Sequence, residues 1–139
     1  MRKWLPNLAE LIDRLSIHQL KEVFLPEHKD KYYQEMMDIC NDIDEIIKED
    51  NITINSDLIH IIIILSQLNT HVWYNESKAR KGESQDLSLL KLTHGLNGLR
   101  SRSMNRILSL INEGGRKDYK VDCLAAEFKD WKINALEKE

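Results

Sequence analysis

Glycine and proline are scarce in this chain: five and two among 139 residues. So few breakers exclude a turn-dense architecture and favour an all-α protein. Cysteine is nearly absent. Cys40 and Cys123 share no metal-type spacing and stand in apolar helical contexts, which excludes a disulfide framework and reads as two buried thiols in a reducing compartment. No charge of one sign dominates. A net charge of −3 and a pI near 6.0 exclude the generic basic footprint of nucleic-acid binding. Long hydrophobic runs are missing as well. Leu58–Leu65 is the greasiest stretch, but it is too short to span a bilayer and contains His60. The start, "MRKWLPNLAEL", is basic but lacks the long apolar segment of a signal peptide. The glycosylation patterns at Asn51 and Asn75 are then chance matches, and a cytoplasmic protein without a membrane partner is expected.

Catalytic and metal signatures are lacking too. There is no Glu-x-x-His and no His-Glu-x-x-His, and Asp57 with His60 is the only helical metal-capable pair. Ser16, Ser66 and Ser101 have no evident His–acid partners. No cofactor or metal is expected, and the balance leans away from an enzyme.

What is present is helical periodicity over one domain's length. The spacing predicts helices over about 7–25, 27–50, 55–80, 84–113 and 118–137. Asn7 with Glu10 makes a capping-box-like start, Leu8, Leu11, Ile12, Leu15, Leu20 and Phe24 form the apolar face, and Pro26 ends the first helix or begins the next. The second helix has Tyr33, Met36, Cys40, Ile43 and Ile47 on its apolar side and Asp42, Asp44, Glu45 and Glu49 opposite, a solvated acidic face. The third starts at an Asn55 or Ser56 cap. Leu58, Ile61, Leu65, Leu68 and Val72 give it an unbroken seam that Ile62–Ile64 widen nearly all round, so it should be the central helix. Ser84 caps the fourth and Gly114-Gly115 stops it, while Leu124, Phe128 and Trp131 mark a fifth that closes the bundle or joins a neighbour's. Short connections imply an up-down-up-down four-helix bundle with a C-terminal addition.

Polar residues interrupt these seams at matching depths. With hairpin turns near residues 26 and 83 at one end, Asp13, Asn69 and Asn97 lie 13 or 14 residues deep. Arg100 lies three residues deeper, and side-chain lean along the helix brings it back toward Asp13. Inside a core the two must pair. A structural ion pair is one reading, and a ligand site sharing the pair is another. Nearer the turn end gather Lys21, Trp73, Glu76, Arg80, Lys91 and His94. Glu76 with Arg80 is an ordinary surface spacing, whereas the flat ring of Trp73 suits either the core or a planar ligand. Arg102 and Arg106, one turn apart, are solvated charge or a grip on a phosphate or an acidic helix. Gly95 and Gly98 would let another backbone approach closely.

Two segments, "LAELIDRLSIHQLK" and "NTHVWYNESKAR" followed by "HGLNGLRSRSMNRI", resemble an uncharacterised all-helical family of bacterial and phage proteins. Its motifs are Leu-Ile-Asp-x-Leu-Ser, Asn-x3-Trp-x2-Glu-x3-Arg and Leu-Asn-x2-Arg. The resembling positions are Asp13, Ser16, Asn69, Trp73, Glu76, Arg80, Asn97 and Arg100. Ser77 stands where an acid is usual and Ser101 where Asn is usual. The resemblance implies the same polar layer and brings no reaction. An Ile-, Lys- and Asn-rich, Ala-poor composition agrees with a phage or firmicute source.

The leading expectation is therefore a helical binding protein for a small anionic ligand, a nucleotide among the candidates. Its site would be Asp13, Lys21, Asn69, Trp73, Glu76, Arg80, His94, Asn97 and Arg100. The alternative is a protein-interaction module, assembled as a homo-oligomer through helix five. A third reading is an enzyme with Glu76 as base and His94 as acid. Internal side chains filling the pocket would favour the interaction module; a ligand against Trp73 would favour the first.

Overall fold

A computed structural model describes residues 5–80, 87–111 and 133–137. These residues form an all-α bundle of four long helices and a short C-terminal one: α1 (Leu8–Phe24), α2 (Lys29–Glu49), α3 (Ser56–Arg80), α4 (Leu87–Ile111) and α5 (Asn134–Glu137). A single 3-10 turn, Pro26–His28, joins α1 to α2. The expected Ser84 cap, the Gly114-Gly115 stop, Cys123 and most of the expected fifth helix (118–132) lie outside the described residues.

The helix ends follow from local chemistry. Asn7 Oδ1 accepts the Glu10 backbone N–H at 2.9 Å, so α1 has a side-chain N-cap. Asn55 Oδ1 accepts the Leu58 N–H at 3.0 Å and starts α3 in the same way. At the end of α2, Asn51 takes a left-handed φ of 53°. The Ile52 N–H then reaches the Ile47 carbonyl at 3.0 Å and the Asn51 N–H reaches that of Lys48, a Schellman closure. Asn tolerates this conformation better than other residues with a Cβ.

The core centres on α3. Leu58, Ile61, Leu65, Leu68 and Val72 are all buried, facing Leu96, Leu99, Met104, Ile107 and Leu108 of α4. Gly95 and Gly98 are buried too, which fits a close approach. Ile63 corrects the all-round reading of α3, since it is half-exposed while Ile64 is buried. Leu8, Ala9 and Ile12 bring the start of α1 into the same core.

Contacts within the bundle are uneven. α1 packs on both α3 and α4, whereas α2 meets the other described helices chiefly through α1. One cross-link on that side is His18, whose Nε2 lies 2.7 Å from Glu35 and whose Nδ1 donates to the Arg14 carbonyl. Met36 is the single buried residue of α2, and Cys40 is a half-buried free thiol rather than a fully buried one. The acidic face of α2 is exposed at Asp42, Asp44, Glu45 and Glu49, as the periodicity implies.

Candidate functional site: a polar layer and an aromatic end

Asp13 is the centre of the polar layer. Its position on α1 follows Leu8, Ala9 and Ile12 into the core, and it is only 6% exposed. Oδ1 accepts from Asn69 Nδ2 at 2.9 Å and from Arg100 Nε at 3.0 Å, and Oδ2 accepts from an Arg100 terminal nitrogen. The second Asn69 N–H donates to Ser16 Oγ at 3.3 Å. Three helices thus supply a carboxylate, two amide N–H groups and a two-pronged guanidinium that match one another. Charge-assisted hydrogen bonds of this kind are what a buried carboxylate needs to offset its lost hydration.

The sequence candidates divide at this point. Asp13, Asn69 and Arg100 come together with Ser16, whereas half-buried Asn97 makes no hydrogen bond to them. Asn97 lies three residues before Arg100, so its side chain is rotated some 60° away. Equal depth places residues in one layer but does not turn them toward one another. Glu76 and His94 are both exposed, and no hydrogen bond joins them. Arg80 ends α3, with its side chain outside the described residues.

Trp73 belongs to a second group, at the turn end. Phe24 lies nearly parallel to it, 6.2 Å between centroids, and meets Tyr74 edge-on at 5.6 Å. Phe24 and Tyr74 are 41% and 48% exposed, so the cluster is open to solvent. Lys21, one turn before Phe24, holds its ammonium 5.8 Å from the Tyr32 ring centre on the α2 side. Periodicity puts Phe24 in the core seam of α1; the last turn of α1 instead turns that ring onto Trp73 and outward.

Two buried polar residues escaped the sequence reading. Ser103 is fully buried and donates to the Leu99 carbonyl one turn back. Asn75 is 8% exposed, and its Nδ2 has no hydrogen-bond partner among the described residues. Both stand on lines that carry apolar residues, Leu96–Leu99–Ser103–Ile107 and Leu68–Val72–Asn75, and that spacing was the available signal. On the basic side of α4, Arg102 approaches Glu137 of α5 at 3.9 Å.

No His, Cys, Asp or Glu cluster able to hold a metal occurs among the described residues, and none of their helices is long and apolar enough to cross a membrane. No family model, no curated protein and no solved structure matches this chain.

Proposed function

We propose that this chain is a protein-interaction module. One observation carries the reading: Arg100, the cation at the centre of the expected anion site, is taken up by Asp13, while large apolar side chains at helical spacing remain outside. Asp13 engages Arg100 through two bonds, so the pair as a whole offers an anion no net charge. Outside, Tyr33 and Met37 of α2 and Ile59 and Ile63 of α3 are each four residues apart and about half exposed. Pairs at that spacing make a helix face rather than scattered surface residues.

The test is affinity capture from the native host with the intact chain, beside its Met37→Glu and Ile63→Glu variants. A protein retained in constant ratio to the chain, and lost with at least one variant, supports the module. No such protein, or one that both variants retain, overturns it.

A second reading has its own observation. The open Phe24–Trp73–Tyr74 cluster with Lys21 one turn away offers ring faces and a cation, which suits a small planar anion such as a nucleotide. Titration with nucleotides, followed by the resonances of these rings, tests it directly.

A further inference from the structure

α2 carries two apolar seams, and the fold uses one. Tyr32, Met36, Ile39, Ile43 and Ile46 follow a four-three-four-three spacing and make the inner seam, every member buried or half-buried. Tyr33, Met37, Cys40, Asp44 and Ile47 repeat the same spacing one residue later. One residue is about 100° around a helix, so the second seam lies on the flank of the first. Tyr33 and Met37 are 51% and 50% exposed, Cys40 and Ile47 are half-buried, and Asp44 is exposed. Spacing of this kind is what a partner helix needs to seat its own side chains between those of α2. The seam runs for about 21 Å, four helical turns.

Charge selects the occupant. Asp44 interrupts the seam, and a charged residue at a seam position needs an opposite charge across from it. The 21 residues of α2 include seven acids and three lysines, hence a net −4. A second copy would set −4 against −4 and lay Asp44 against an apolar position. An anionic lipid surface would be repelled in the same way.

From these observations we infer that the outer seam of α2 docks an amphipathic helix of another protein, with an apolar heptad stripe and a Lys or Arg facing Asp44. The inference rests on the interaction-module reading and narrows it to one face and one partner chemistry. It also gives a role to a helix that, among the described residues, is fastened mainly by α1.

The test uses the full chain and two synthetic helices three heptads long, with leucine at the seam positions and either lysine or glutamate beside them. Binding is followed by isotropic chemical-shift changes and calorimetry. The lysine peptide is expected to bind at least tenfold more tightly than the glutamate peptide, with shifts centred on Met37 and Cys40. Asp44→Lys should reverse that preference, and Met37→Glu should abolish binding at an unchanged melting temperature. Equal binding of the two peptides, no binding, or shifts on α3 instead would overturn the inference. So would a dimer of the free chain in light scattering that Met37→Glu dissolves, because the second copy would then own the seam. Loss of the host partner with Ile63→Glu but not with Met37→Glu would leave the module standing and remove α2 as its face.

Discussion

Asp13 and Arg100 stand 87 residues apart in the chain and share two hydrogen bonds across the α1–α4 contact. Asp13 is buried and the Arg100 side chain retains 27% of its exposure, so the guanidinium closes the layer from the solvent side. Asn69 of α3 completes it. The pair fixes how α1 sits on α3 and α4, since a slip of one residue would strand the carboxylate.

Removing the cation should therefore be costly. Arg100→Met leaves a buried carboxylate with only the Asn69 amide, and a loss of about 3–5 kcal/mol in unfolding free energy is expected. Asp13→Asn with Arg100→Met should regain much of it, because the stranded charge is gone. Denaturant titration of the four proteins in the cycle measures the coupling. Simple additivity would show that the two side chains do not act together.

Helix α3 supplies the most enclosed positions. Leu65 is fully buried and Ile61 is 2% exposed. Leu65→Asp or Ile61→Asp places an unpaired charge there, and loss of cooperative thermal unfolding is expected. Ile63→Asp, two positions from each but half-exposed, should fold normally. Circular dichroism melts separate the two outcomes.

The N-cap of α1 has a peculiarity. Asn7 Oδ1 caps the helix, whereas its buried Nδ2 has no partner among the described residues. Asn7→Ala should cost about 1 kcal/mol through the lost cap. Asn7→Asp keeps the acceptor and favours the helix dipole but puts a carboxylate oxygen where the buried Nδ2 stands, so it should recover only part of that loss. A fall with Asp as large as with Ala would mean that the cap contributes nothing.

Asn51 gives a backbone test. Its φ of 53° suits Asn or Gly, and Asn51→Val should cost about 1–2 kcal/mol while Asn51→Gly is nearly neutral. Equal melting temperatures for Val and Gly would show that the Schellman closure after α2 does not constrain the chain.

The sequence revealed what depends on near neighbours. Asn7 and Asn55 were readable as caps because a cap needs only the next three residues. The Asp13–Arg100 meeting was readable because short connections let depth be counted along each helix. Rotation about the helix axis does not follow from depth, so depth alone puts Asn97 in the layer although it lies outside its hydrogen bonds. Periodicity assigns Phe24 to the core, although its contact with Trp73 and Tyr74 depends on how α1 crosses α3. The second seam of α2 shows in the sequence as Tyr33, Cys40 and Ile47, but spacing alone does not separate it from the inner seam. Periodicity gives the apolar width of a helix, and only the packed structure shows how much of that width has a neighbour.

The central claim is that the polar residues of this chain hold its helices together while its uncovered apolar faces hold another protein. Native mass spectrometry of the chain isolated from its own host tests this most directly. The account predicts a complex whose added mass is that of a second, different protein, with no small molecule retained in constant ratio. A chain carrying one small anionic molecule and no protein partner would contradict it, and would return Trp73, Lys21 and their neighbours to the role of a ligand site.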